Sequence, residues 1–329
     1  MNNKSNKILQ YLLIAAIGGF FIYFVFKGTN WQEMFAKISN ANFYWLSLAM
    51  LVGIFSHWLR AFRGVMMYDA MGYSISTKNS FYAVLIGYMM SYIIPRAGEV
   101  YRCVSLNKTD SMPIEKSLGT VVTERLVDML ILLLIIAFVF VIQFDLLVNF
   151  ISHSLDSKTE STTNSILIKS MLTLFIIISI VLFFVFRKKI VQHAFYQKLK
   201  TGFTAGLLSV KQVKNPILFI VLSFSIWIGY LLMMYICFFA MQSTSNLGIF
   251  ECLTVFAIGT IGVVLPAPAA GAGAYHFFVI QSLLLFGVGA EDGKAYATMV
   301  HGVQMILLLI IGSICSYIVL KTKNKNAIN

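Results

Sequence analysis

Long apolar blocks, separated by short polar segments, run through most of the chain. Because an α-helix rises about 1.5 Å per residue, about 20 apolar residues cross the hydrocarbon core of a bilayer. Six blocks are long enough and are predicted to be membrane-spanning helices: 8–26, 43–62, 117–144, 165–186, 215–242 and 295–320. The blocks are continuously apolar and lack the alternation of a barrel strand. The pattern therefore predicts an all-α polytopic membrane protein.

Two further apolar blocks, 79–94 and 250–289, are accompanied by proline and glycine. Proline and glycine interrupt helices, and non-helical backbone at membrane depth is tolerated only where protein buries it or water lines it. Both blocks are therefore predicted to be broken segments. The predicted tips contain Pro95 and Gly98 in the first block, and Pro266, Gly271 and Gly273 in the second.

The composition agrees with the pattern. Hydrophobic residues make up 59% of the 329 residues and charged residues only 12%, and the mean hydropathy is +0.82. Soluble domains carry about a quarter charged residues, so a soluble enzyme, a DNA-binding domain and a disordered scaffold are excluded. The four cysteines form no C-x-x-C pair; they are expected to be free thiols, and no metal site or cofactor is predicted.

The basic residues, which give the chain a net charge of +12, are unevenly distributed, and their distribution predicts the topology. Segment 187–214 has seven lysines and arginines and no acid, whereas segment 145–164 has three acids and one lysine. Positive loops stay in the cytoplasm, so the first segment is predicted to be a basic cytoplasmic connector and the second to face outside. Both termini are then cytoplasmic, and the basic residues attract anionic lipid rather than nucleic acid.

The topology constrains the broken blocks. Segment 79–116 must begin and end on the cytoplasmic side, which predicts a re-entrant hairpin. Segment 250–289 fits either a re-entrant hairpin or two full crossings, and we favour the hairpin. The chain then has about six full crossings and two re-entrant hairpins, eight or more membrane segments in one transmembrane domain. Residues 8–144 and 165–320 would be two inverted repeats, an arrangement that indicates a transporter's central site.

Two groups of ionisable residues lie close to apolar segments. Arg96, Glu99 and Arg102 recur every three residues. In one interpretation, the two arginines bind an anionic headgroup through the planar guanidinium fork that suits phosphate oxygens, and Glu99 orients them. In the other, the group forms a salt bridge at the cytoplasmic face.

The second group, Glu124, Arg125 and Asp128, begins a strongly apolar helix. Two acids and one base there are unlikely to face lipid, because charges in a bilayer are costly. We expect them to pair with the first group, either in a substrate pathway or for structure alone.

A third group contains His276, His301 and Gln304. Histidine titrates near neutral pH, so proton coupling is one interpretation and ordinary hydrogen bonding in the bundle is the other. His57, Arg60 and Arg63, near the end of the second predicted helix, fit more than one interpretation, and snorkelling to the cytoplasmic headgroups is a simple explanation for the two arginines.

Several motifs carry a family resemblance. They are the segments 57–72, 86–103, 121–133, 271–279 and 301–304, with P-R-x-G-E-x-x-R followed by E-R-x-x-D as the most specific pattern. The chain resembles the transmembrane, flippase-like domain of the lysylphosphatidylglycerol synthase/flippase family (multiple peptide resistance factor). It departs from the family at Ala270, which replaces the first glycine of a Gly-Gly-x-Gly motif.

The resemblance implies movement of an anionic phospholipid or a polyprenyl-linked lipid between leaflets of the bacterial inner membrane. It gives weight to the first two residue groups and less to His276 and His301. In bifunctional relatives a separate soluble domain transfers lysine from tRNA to phosphatidylglycerol; this chain ends at Asn329, just past its last apolar block. We therefore expect a translocator and not an enzyme. The alternatives are an intramembrane lipid-modifying transferase and a non-catalytic subunit of an envelope-biosynthesis complex, and a homo-oligomer is a further open arrangement.

Overall fold

The computed structural model describes residues 18–95, 97–144, 212–264 and 271–322, and within these ranges every regular element is a helix. Residues 18–26 are helical and are labelled α1. The other helices are α2 (Trp31–Ser39), α3 (Phe43–Ala70), α4 (Thr77–Ile93), α5 (Gly98–Asp110), α6 (Ile114–Ile142), α7 (Pro216–Phe238), α8 (Ile249–Val264), α9 (Ala274–Leu284) and α10 (Ala290–Lys321). The predicted helix 165–186, most of the basic connector, Arg96 and Pro266 lie outside the described residues.

Four helices, α3, α6, α7 and α10, are long and apolar enough to cross a membrane. They confirm four of the predicted spans, and α3 and α10 are clearly longer than predicted. The predicted end of α3 at residue 62 is too early, because the helix continues through Arg63 to Ala70. The arginines do not end the helix because, as described below, their charges are paired inside the protein.

Helices α4 and α5 form an antiparallel pair, hairpin one (77–110). The Asn79 amide at its base donates to both carboxylate oxygens of Asp110, at 3.1 and 3.0 Å. Near the tip, Gly87 and Gly98 bring the two backbones so close that a Cβ on Gly98 would overlap the Gly87 carbonyl oxygen. The helices have 17 and 13 residues, fewer than the about 20 that a typical crossing needs.

Helices α8 and α9 form a second antiparallel pair, hairpin two (249–284). Gly262 packs against Ala274, and Gly259 packs against Val279 farther from the tip. The helices have 16 and 11 residues. Two glycines of the predicted tip, Gly271 and Gly273, have φ of +91° and +86°, a region that other residues rarely adopt. The break predicted in 250–289 is therefore present, with a left-handed turn before α9.

The bases of the two hairpins lie at opposite ends of the bundle. At one end, the Lys37 ammonium contacts the Asp292 carboxylate at 2.9 Å, and α7 leads through a short loop into hairpin two. At the other end, the Lys108 ammonium at the base of hairpin one donates to the Leu320 carbonyl at 3.0 Å. Helix α10 runs between these two ends.

Both hairpins pack along α10, and their tips meet partway along this helix. Hairpin one lies against Gly312 through Met89, and hairpin two lies against Gly293 through Ile280. Their tips converge from the two sides on His301. At Gly312 the approach is so close that a Cβ would overlap Met89, whereas a Cβ on Gly293 would make an ordinary contact with Ile280.

Candidate functional site

Five charged side chains are buried together between α3, α5 and α6. They are Arg60 and Arg63 of α3, Arg102 of α5, and Glu124 and Asp128 of α6, and none is more than 6% exposed. Their spacing explains the convergence, since residues three or four apart share one face of a helix. Removing charges from water is costly unless they are paired, so their pairing determines what the site can do.

Arg102 and Glu124 form the most regular pair. The two terminal nitrogens of Arg102 donate to the two oxygens of Glu124 at 2.9 and 2.7 Å, the fork-to-fork geometry that guanidinium and carboxylate groups favour. The Tyr68 hydroxyl accepts a third bond from Arg102 at 2.9 Å. This pair links hairpin one to the span α6.

Asp128 is held by both arginines of α3. Arg60 Nη1 lies 2.6 Å from one carboxylate oxygen, and Arg63 Nη1 lies 3.0 Å from the other. The Trp227 indole N–H donates to Asp128 at 3.4 Å. Glu124 lies 3.7 Å from Arg60 and from Arg63, so the acids and arginines form one continuous network.

The Tyr230 hydroxyl of α7 joins the network to two other helices. It accepts a hydrogen bond from Arg60 Nε at 3.2 Å. It also lies 3.1 Å from His57 Nδ1 and 3.3 Å from the Tyr88 hydroxyl of hairpin one. The network thus contacts elements from the first and second parts of the chain.

The buried network carries an excess of one positive charge. Three arginines face two carboxylates, and Arg63 Nε, Arg63 Nη2 and Arg102 Nε make no hydrogen bond within the described residues. A buried donor without an acceptor costs about 1–3 kcal/mol. An added acceptor beside these atoms would satisfy them.

A narrow cleft leads to the network from the protein surface. Glu99 and Arg125 line it beside the buried Arg60 and Arg102. Arg125 Nε contacts Glu99 Oε1 at 2.9 Å, and both side chains are about half exposed. The cleft has a volume of about 20 Å³, room for about one water molecule.

The predicted pairing of the first two residue groups is confirmed for two pairs but not for Asp128, which is held by the arginines of α3. Arg102 pairs with Glu124, and Glu99 pairs with Arg125. The expectation that Glu99 orients Arg102 is wrong, because Glu99 turns toward Arg125 at the mouth of the cleft. Arg125 also lies outside the buried network, since it is turned about 100° from Glu124 around the helix.

Sequence reasoning missed the roles of Arg60 and Arg63. The snorkelling interpretation is wrong: Arg63 is 0% exposed and Arg60 is 4% exposed, and both bind the acids of α6. A signal was present in their spacing. The two arginines repeat at i, i+3 and the two acids at i, i+4, which gives two complementary faces on helices that could pair.

The histidines of the third group lie together in a separate place. The rings of His276 and His301 are stacked with centroids 5.1 Å apart, and both are 7% exposed. Tyr275 and Tyr92 pack against His301 at 5.2 and 5.9 Å. Gln304 lies one turn farther along α10 and is half-buried. The grouping of His276 with His301 is thus a property of the fold.

The cysteines fit the expectation of free thiols, since all four are unpaired and buried. Among the described residues, no group of three or more histidine, cysteine or acidic side chains could hold a metal ion. The ion pairs of Glu124 and Asp128 are with arginines. The site therefore consists of the arginine–carboxylate network and its cleft.

Comparisons with known proteins agree with a membrane protein that has a lipid-related role. A family model described as the lysylphosphatidylglycerol synthase TM region matches residues 8–312. A protein named UPF0104 membrane protein MJ1595, from Methanocaldococcus jannaschii, is 28% identical over 136 residues. That similarity covers 40% of this chain and only 40% of the relative. No solved structure matches the chain.

Proposed function

Because the chain belongs to the lysylphosphatidylglycerol synthase transmembrane-region family, we propose that it moves an anionic lipid between the leaflets of the bacterial inner membrane. The lipid would be a phospholipid or a polyprenyl-linked lipid with a negatively charged headgroup. The observation that carries the proposal is the buried network with one excess positive charge, reached by a cleft from the surface.

The physical argument starts from the headgroup. A phosphate cannot cross hydrocarbon unaided, because the loss of hydration is too costly. Arg102 has an unbonded Nε beside the cleft, where it could replace part of the hydration shell. The acyl chains would remain in the bilayer beside hairpin one while the headgroup passes.

The hairpins provide the proposed path. In this proposal they are re-entrant, they enter from opposite leaflets and they belong to two inverted repeats. Support comes from their bases at opposite ends of the bundle and from the common order of span, hairpin and span in α3–α6 and in α7–α10. Inverted repeats around a central site are typical of secondary transporters.

Since the cleft has room for about one water molecule, hairpin one would have to move before a phosphate enters. The Glu99–Arg125 pair at the mouth is the contact that opens most easily, because exposed ion pairs contribute at most about 1 kcal/mol. An anionic headgroup could take the place of Glu99 beside Arg125. Arg125 would then be the first positive charge that the headgroup meets.

The alternative of a lipid-modifying transferase is less well supported. Such an enzyme would need an acid or base free to exchange protons, and Glu124 and Asp128 are both held by arginines. A transferase and a translocator also differ in outcome. Loss of a transferase removes a lipid species, whereas loss of a translocator leaves it in the wrong leaflet, and mass spectrometry of lipids from a deletion strain distinguishes the two.

The proposal is tested by reconstitution into vesicles with a trace of fluorescent phosphatidylglycerol, followed by bleaching of the outer leaflet. We expect faster exchange between leaflets than in protein-free vesicles. We expect Arg125→Gln to slow exchange about tenfold, since a hydrogen bond to a charged group contributes about 1.5 kcal/mol or more. The same assay with a fluorescent polyprenyl phosphate tests the second proposed lipid class.

Lys37→Gln is the matched control. Lys37 forms an ion pair with Asp292 in which both side chains are about 30% exposed, and it does not line the cleft. Its replacement should leave the exchange rate unchanged. The proposal is contradicted if lipid exchange with the intact protein is no faster than in empty vesicles. It is also contradicted if the Arg125→Gln variant exchanges lipid at the full rate.

A further inference from the structure

The tips of the two hairpins meet at four aromatic side chains, which we term the tip junction: Tyr92, Tyr275, His276 and His301. Hairpin one contributes Tyr92, hairpin two contributes Tyr275 and His276, and α10 contributes His301. The junction is separate from the arginine network, since none of its residues takes part in those ion pairs. None of its residues lines the cleft beside Arg102.

The hydrogen bonding of His276 identifies its protonation state. The backbone N–H of Gly273 donates to His276 Nδ1 at 3.2 Å. A nitrogen that accepts a hydrogen bond carries no proton, so His276 is neutral in this arrangement. An imidazolium has N–H on both nitrogens and cannot accept. Proton uptake by His276 would therefore break its bond to Gly273, the residue that precedes α9.

The groups that surround His276 and His301 determine what an added positive charge would do there. The titratable groups that ring contacts bring against the histidines are Tyr92 from hairpin one and Tyr275 from hairpin two, both neutral phenols at physiological pH. From α1 the ring of Phe26 packs on His276 at 5.8 Å. A positive charge on one imidazole would lie directly against its stacked neighbour. Such a charge is stabilised when water enters, which requires the tips to part.

We infer that the tip junction is a proton-binding site that couples proton uptake to separation of the two hairpin tips. With both histidines neutral, the ring stack holds hairpin two to His301 of α10, on which Tyr92 of hairpin one also packs, and the Gly273 bond caps α9. When His276 takes up a proton, this cap is lost, the charge lies against the ring of His301, and the arrangement with parted tips becomes more populated. The inference goes beyond the proposed function, because the separation involves no lipid.

The inference is tested by measuring the distance between the tips in the full chain, in lipid nanodiscs, from about pH 8 to about pH 5, the range in which a histidine that water reaches, as in the open arrangement, titrates. Spin labels are placed at Ile93→Cys and Val264→Cys, positions that are 57% and 65% exposed near the two tips. The native cysteines are buried, which limits background labelling. We expect the distance distribution to shift by several ångströms toward longer values at low pH. Identical distributions at both ends of the pH range would overturn the inference.

Two variants assign the shift to the junction. His276→Phe and His301→Phe keep a ring but cannot titrate, so each should abolish or strongly reduce the pH-dependent shift. His57→Gln is the matched control, because His57 is the other buried histidine of the described residues, and it should retain the shift. A shift that persists in both phenylalanine variants would overturn the inference even if one of them folds poorly.

The measurement also separates this inference from the proposed function. A chain that exchanges no lipid but shows the histidine-dependent shift would contradict only the translocator. A chain that exchanges lipid without any change in tip distance would contradict only the proton site.

Discussion

Arg63 is the most deeply buried charge of the network, at 0% exposed. Its removal takes one of two arginine partners from Asp128, and a hydrogen bond to a charged group contributes about 1.5–3 kcal/mol. We expect Arg63→Gln to destabilise the protein by this amount, since Asp128 would keep only Arg60 as an ionic partner. Thermal unfolding in detergent measures the change.

Arg125→Gln is the matched control for this prediction. Arg125 is also an arginine paired with a carboxylate, but it is half exposed, and exposed pairs contribute at most about 1 kcal/mol. The melting temperature should change much less than in Arg63→Gln. Equal losses in the two variants would mean that the buried network does not stabilise the fold.

The residues of the site could be predicted only in part. Charges inside apolar segments were recognisable as Glu124, Asp128 and Arg102, because such residues are rarely exposed to lipid. Arg63 was misassigned because an arginine near a predicted helix end has an easy alternative in the headgroups. Only the packing of α3 on α6 removes that alternative, and one sequence does not contain this information in its local pattern.

At the scale of the helices, the close approach within hairpin one depends on Gly98. A Cβ at this position would overlap the carbonyl oxygen of Gly87 and the hydroxyl of Ser91. We therefore expect Gly98→Ala to push α5 away from α4 and to displace Arg102 from Glu124. The variant should lower the melting temperature and, in the vesicle assay, the rate of lipid exchange.

Gly302→Ala is the control for a glycine in a helix. Gly302 has no other atom within 4 Å of its Cβ position, and alanine is favoured over glycine in a helix by about 0.5–1 kcal/mol. Its melting temperature should be unchanged or higher. A Gly98→Ala variant that behaves like Gly302→Ala would show that the two backbones do not need this contact.

Helix prediction succeeded where the apolar pattern was long and failed where it was short. The breaks at Pro95 and Gly273 were predictable from residue type, because proline and left-handed glycine end helices. The pairing within 250–289 was left open, since two short helices and two crossings have the same hydropathy. The surface helix Trp31–Ser39 was missed, because nine residues capped by Asn30 are too few for a periodic signal.

At the scale of the whole molecule, the hairpins should open toward different compartments. Lys78, Lys108 and Lys321 lie at the end of the bundle that holds the base of hairpin one, whereas Lys37 and Lys294 at the other end are each paired with an acid, Asp292 and Glu291. Positive loops remain in the cytoplasm. We therefore expect Ser243→Cys, in the loop before hairpin two, to react with an impermeant maleimide in intact cells.

Lys78→Cys, at the base of hairpin one, should react only after the membrane is permeabilised. Both positions are exposed, so burial does not explain a difference between them. Labelling of both from the same side would contradict hairpins that enter from opposite leaflets. Labelling of Lys78→Cys alone in intact cells would keep the opposed hairpins but reverse the orientation, and the Glu99–Arg125 mouth would have to be assigned to the other leaflet.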